Sequence, residues 1–334
     1  MILMKSRSIL ALTAFASAGL ALGQPATTNP VGYTSQTLVQ NTINLVGFNV
    51  LNPVLVVSTI TAIGSVENPS LSDSNTNFST FLTSGKMYTV EIVDGDAAGT
   101  VQEFNDWSEN EIFVPVSIPG VSIGDKYTVR VCPTLQEIFP VGLLAGSSFA
   151  TTADKVWVPN GPGSYTKYWY KTSNPVGWCI TTTGSNNAGA VTNDIPLIST
   201  DGILVEKKGT TKEFVLTGEV KTTGSNVLLG TGLNLISINP PMGLTLFTSG
   251  LQDDIAGSSF ASTADIVWVP TGAGSYTKYW YKTSNPVGWC ITTTGSNNAG
   301  AVSLDVDLPP SVFIQRKSTP KSVSLNVPAS YSNL

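Results

Sequence analysis

The sequence predicts an all-β protein built as two related sandwich- or barrel-like lobes. Three observations lead there. Period-two alternation of apolar and polar residues recurs along the chain, as in half-buried strands. After the amino-terminal stretch, no apolar stripe of period 3.6 persists for three turns. A long segment also occurs twice: Ser147–Val191 and Ser258–Val302 align at a constant offset of 111, with 41 of 45 positions identical.

The first 23 residues carry the features of a secretory signal. Lys5 and Arg7 supply the basic start, Ile9 to Leu22 the apolar stretch, and Ala21 and Gly23 the small residues for cleavage before Gln24. The apolar run is short of the roughly 20 residues that span a bilayer, so an exported chain without a membrane span is expected. Removing the signal leaves 15 basic against 22 acidic residues, a net charge of −7. That balance argues against nucleic acid and against anionic membrane surfaces as partners.

Strands follow in order. Tyr88, Val90 and Ile92 alternate with Thr89, Glu91 and Val93 in "KMYTVEIVDG", and Tyr127, Val129 and Val131 alternate in "DKYTVRVCP". Further strands are expected at "ENEIFVPV" and "DKVWVP", each stopped by a proline that cannot donate to a ladder. "PTLQEIF" (Pro133 to Phe139) is the one helical turn expected. Thr166–Lys171 and Trp178–Thr183 flank "SNPVG", whose residues favour a turn, giving a β-hairpin that recurs at Thr277–Thr294.

Weaker similarity frames the repeat. "NLVGFN" (Asn44 to Asn49) matches "NLISIN" (Asn234 to Asn239), and "GILVEKKGT" from Gly202 matches "SVFIQRKST" from Ser311 at offset 109. The expected organisation is a signal at 1–23, a first lobe at 24–200 with an extra β segment at about 60–135, and a second lobe at 201–334 that lacks this segment. Such a duplication puts one unit order in both lobes.

With these motifs in place, "TNPVGY", "YTVEIVDGDAAGT", "GDKYTVRVCPTLQEIF", "TADKVWVP" and "FIQRKST" together resemble an uncharacterised family of secreted bacterial β-rich proteins. Members often occur as many paralogues in one genome, and some carry a C-terminal sorting segment. This chain shows no such segment. The resemblance implies export and a β fold, and it implies no activity and no cofactor.

The chain contains no histidine. Ser-His-Asp and Cys-His catalysis are thereby excluded, as is the commonest zinc ligand. Carboxylate-pair glycoside hydrolysis stays open on residue type, through Asp94, Asp96, Glu103, Asp106, Glu109 and Glu111. Their spacing does not set two of them about 5 to 9 Å apart. Asp94 and Asp96 in "DGDAAGT" are the candidate calcium ligands, although an ordinary Asp-Gly turn explains the same residues. Asp154 and Asp265, in the repeated "TAD", are expected to bond nearby backbone. Cys179 and Cys290 are repeat equivalents that a disulfide would join only if the two lobes met face to face.

The aromatic hairpins are the candidate binding surface. Tyr168, Trp169, Tyr170 and Trp178, with their equivalents Tyr279, Trp280, Tyr281 and Trp289, put rings on both faces of a hairpin. One face could meet polysaccharide or another envelope protein; the alternative is a structural hairpin or a lobe-to-lobe interface. The expected role is a secreted, non-enzymatic structural or interaction protein of the cell envelope or extracellular matrix, with carbohydrate binding as the alternative.

Overall fold

The computed structural model describes residues 30–181, 194–239, 243–272, 274–292 and 306–331. The expected signal lies outside the described residues, as do the segments that follow Thr181 and Thr292 in the two copies of the repeat. The protein is all-β, with its strands in several separate sheets.

The chain begins with β1 (Val31–Leu38) and β2 (Thr42–Val46). A middle unit follows: β3 (Val54–Thr59), β4 (Ala62–Ile63), β5 (Ser70–Ser72), β6 (Tyr88–Ile92), β7 (Val101–Phe104), β8 (Asp106–Trp107), β9 (Glu111–Phe113) and β10 (Lys126–Val131). These make two four-stranded sheets, ordered β3-β10-β6-β7 and β4-β5-β9-β8. One core fills this unit, from Val56, Tyr88, Val90 and Ile92 to Phe104, Ile112, Tyr127 and Val129. The extra segment expected at about 60–135 therefore has its own hydrophobic core.

The chain then returns to the unit it left. The helical turn α1 (Leu135–Ile138) has a capping box in which the Thr134 side chain accepts from the Glu137 N–H and Glu137 accepts from the Thr134 N–H. After it come β11 (Lys155–Gly161), β12 (Ser164–Lys171), β13 (Gly177–Ile180), β14 (Ile203–Lys207) and β15 (Lys212–Glu219). They form a five-stranded sheet, β13-β12-β11-β14-β2, and a two-stranded ribbon, β1-β15. Leu38, Phe214 and Leu216 of the ribbon share a core with Val46, Val156, Ile203, Val205 and Trp178 of the sheet.

The last unit repeats this order: β16 (Ser225–Leu229), β17 (Gly232–Ser237), α2 (Leu251–Asp254), β18 (Ile266–Gly272), β19 (Ser275–Lys282), β20 (Gly288–Ile291), β21 (Ser311–Arg316) and β22 (Lys321–Leu325). Its sheet is β17-β21-β18-β19-β20 and its ribbon β16-β22. The registers match as well. Val156 faces Tyr168 as Val267 faces Tyr279, and Trp169 faces Cys179 as Trp280 faces Cys290.

Two sequence expectations need correction. The boundary expected at residue 200 cuts through a unit, because β14 and β15 follow it yet pair with β2, β11 and β1. The closing strand returns to the middle of its own sheet, which a linear reading of the repeat does not reveal. Pro159 also does not stop β11. Pro159 faces Tyr165, and the ladder continues to Gly161 with a shift of register between Pro159 and Gly161.

The two five-stranded sheets meet through the faces turned away from their ribbons. Leu204, Leu235 and Phe313 are buried there, packed with Leu45, Trp157, Tyr165, Trp268 and Tyr276. The approach is close: a Cβ on Gly47 would lie 1.8 Å from the Pro310 carbonyl oxygen, so only glycine fits.

Candidate functional site

Each aromatic hairpin splits its rings between two faces, as period two requires. Tyr168 and Tyr170 turn toward the ribbon-side core, where Trp178 is buried and meets Tyr170 edge-on at 5.7 Å. Trp169 turns the other way into a small cluster with Ala150, Ala153 and Cys179. The second hairpin repeats this, with Tyr279, Tyr281 and Trp289 in one core and Trp280 beside Ala261, Ala264 and Cys290. Trp169, Trp178, Trp280 and Trp289 are at most 3% exposed. These four indoles are therefore packing groups, not open stacking platforms.

Other rings on the hairpins line the seam between the sheets. Lys167 lies over the Trp157 ring at 3.5 Å, and Lys278 over Trp268 at 3.7 Å. Tyr165 sits in the same seam; burial, and then the nearby Tyr276, push its phenol up to about 12. The lobe-to-lobe alternative thus describes this face of the hairpins.

Cys179 and Cys290 occupy separate clusters, and no disulfide joins them. Each Sγ instead lies 3.8 Å from a carbonyl of its own strand, Gly177 O and Gly288 O. The sheets do meet face to face, but the seam is built from Leu204, Leu235 and Phe313, and Cys179 and Cys290 sit in clusters apart from it, so the two thiols are not brought together. Cys132 is also buried, which, with Glu103 nearby, raises its thiol to about 12.

Asp94 and Asp96 lie in a turn after β6. The Asp94 carboxylate accepts the Lys126 N–H at 2.6 Å and pairs loosely with the Lys126 ammonium, so it closes the turn against β10. Among the described residues, no group of three or more carboxylates or thiols is placed to hold a metal ion. Two more acidic residues of this stretch serve local structure: Glu109 accepts from Asn77, and Glu111 from Ser70.

Asp154 and Asp265 bond backbone, as expected, and each has a basic partner that sequence reasoning missed. Asp154 is buried. It accepts the Ala145 N–H at 2.7 Å, the Lys208 N–H at 2.6 Å and the Gly209 N–H at 2.9 Å, and it pairs with the Lys207 ammonium. Asp265 accepts the Ala256 and Lys317 N–H groups, both at 2.8 Å, and pairs with Arg316 at 2.8 Å. Burial alone would raise the Asp154 carboxyl; Lys207 and the three backbone donors outweigh it and hold the group below its ordinary range. The signal for this pairing was present in the sequence. Both closing strands end in basic residues, Lys207 and Arg316, at matching positions of the repeat.

A second charged cluster sits where all three units join. The sheet face of β6 and β10 opposite the middle core carries Thr89, Glu91, Thr128 and Arg130. Arg130 pairs with Glu219 at 2.9 Å, and Glu91 with Lys221. β6 is consequently buried on both faces, where alternation predicted a half-solvated strand. Burial pushes the Lys221 ammonium down to about 7. Asp201 is raised to about 7 by burial and by Glu103. Cavities of about 40 and 10 Å³ lie here, lined in part by Arg130, Ser199, Lys221 and Asn239. They are far smaller than a site of about 300–1,000 Å³ for an organic ligand. Asn226 N–H, bonding Gly99 O at 2.8 Å, ties the turn before β7 to β16 at the same junction.

No helix among the described residues is long and apolar enough to cross a membrane, which leaves β-barrels aside. Comparison with known proteins gives no match for this chain: no family model, no curated protein and no solved structure is similar to it.

Proposed function

We propose that this is a secreted, non-enzymatic structural or interaction protein that works at the cell envelope or in the extracellular matrix. The observation that carries the reading is where the buried charge goes. Asp154 with Lys207, Asp265 with Arg316, Glu91 with Lys221 and Arg130 with Glu219 all fasten strands, loops or units to one another. Catalytic carboxylates need a cleft and unequal environments on either side of a substrate. Here the buried acids are engaged in the joints of the scaffold.

The carbohydrate alternative rested on flat rings offered to a sugar. The four tryptophans that would supply them are closed to solvent, which favours an interaction through strand edges and loops. Fractionation of cells producing the full chain, followed by cross-linking, tests the proposal. Recovery outside the cytoplasm with a specific cross-linked envelope partner is expected. Hydrolysis of a polysaccharide that is lost in Asp94→Asn or Asp106→Asn would overturn it.

A further inference from the structure

We infer that the outer edge of β15 is a strand-addition site for an extended peptide of a partner protein. The inference deepens the interaction role proposed above and names its place and ligand class. β15 pairs with β1 along one side only. On its other side, Leu51 and Glu219 exchange both backbone hydrogen bonds, at 2.9 and 2.8 Å. That pair fixes the phase of the edge. Every second residue shares it, so Glu213, Val215 and Thr217 turn their N–H and C=O groups away from β1. The outward backbone groups of Val215 and Thr217 have no partner among the described residues.

A groove of about 460 Å³ runs along this edge, with Pro133, Ile138, Pro140 and Leu143 across from Phe214 and Leu216. Leu51 makes the first rung on the edge before the chain turns away into Asn52 and Pro53. The positions left open span about 13 Å, five residues of extended chain. A guest strand there meets backbone donors and acceptors at every second residue. Its alternate side chains enter the apolar groove, and the others lie beside the exposed Val215.

The last unit shows what this edge demands. Val215 and Thr217 correspond to Ser324 and Asn326 at the offset of 109. There the Ser324 N–H bonds the Asp254 carboxylate and the Asn326 N–H bonds Ser249 O, both at 2.8 Å. Groups of the α2 segment thus close the edge. In the first unit the aligned helical turn reads Leu135-Gln136-Glu137-Ile138 against Leu251-Gln252-Asp253-Asp254, so Ile138 stands where Asp254 stands. An acceptor has become an apolar wall. An extended peptide supplies the acceptor from its backbone and uses the wall for its side chains.

The test uses the isotope-labelled full chain and a capped peptide of seven alternating valines and threonines, flanked by lysines for solubility. Saturable shifts centred on the Val215 and Thr217 amides are expected. Ile138→Asp copies the Asp254 arrangement, and Val215→Pro removes an outward donor without touching the bonds to β1. Each should weaken binding at least about tenfold, the effect of losing one or two hydrogen bonds. Without peptide, Ile138→Asp should also slow hydrogen exchange at Val215. Three results overturn the inference: no saturable shift at about 1 mM peptide, equal binding by both variants, or amides already protected in the peptide-free protein. Envelope association that persists in Ile138→Asp would sink this site alone and leave the broader role standing.

Discussion

The Asp154 carboxylate and the Lys207 ammonium, 53 positions apart in the chain, form a buried ion pair that ties the loop before β11 to the end of β14. Asp265 and Arg316 do the same in the last unit. Both pairs also gather backbone N–H groups, which is what makes burying a carboxylate tolerable.

Removing one partner strands the other. Asp154→Ala is expected to lower stability by about 3–5 kcal/mol, with Asp265→Ala similar. Denaturant unfolding, followed by tryptophan fluorescence, measures both. A loss below about 1 kcal/mol, the scale of an exposed pair, would contradict the assignment.

Acid should weaken the fold through Asp154 and Asp73. Each is held below its ordinary carboxylate range, although burial alone would raise it. Lys207 and backbone donors act on Asp154, while Ser58, Thr76, Tyr127 and the Asn75 N–H act on Asp73. Because the folded pKa is depressed, this stability is fully present above the unfolded carboxylate pKa and is lost as pH falls through the folded one. Melting temperature against pH should fall on the acid side, and Asp154→Asn should flatten the curve.

Asp201 gives the opposite sign. Its folded pKa is raised to about 7 by burial and by Glu103. Its contribution is complete below the unfolded carboxylate pKa and declines as pH rises toward 7. At about pH 8, Asp201→Asn should therefore gain roughly 1–3 kcal/mol, with little change at about pH 4. An equal effect at both values would rule out titration of this group.

Trp169→Ala and Trp280→Ala should behave as core truncations, each costing about 3–5 kcal/mol. Thermal melting of the single and double variants reads this directly. A double variant with native stability would place the rings at the surface and revive the carbohydrate reading.

The Cys132 thiol, raised to about 12 by burial and by Glu103, should resist alkylation in the folded protein at neutral pH. Mass spectrometry of native and denatured samples should find it modified only after unfolding.

The sequence by itself determined the local structure. Alternation located β6 and β10, "PTLQEIF" located α1, and the offset of 111 predicted two hairpins of one register. Such features depend on neighbours a few residues apart, so their pattern is written into short segments. Which face of a strand meets what depends on residues brought in from other parts of the chain, 130 positions apart for Glu91 and Lys221. Only tertiary structure could bury Glu91 against Lys221, close the four hairpin tryptophans into four separate clusters, and return β14 across the boundary expected at residue 200. It also decided that Ile138 lies along an open strand edge while its counterpart, Asp254, closes one. Hydrophobic burial is non-directional and rewards any covered apolar face; the partner that covers each face is set by how whole units pack.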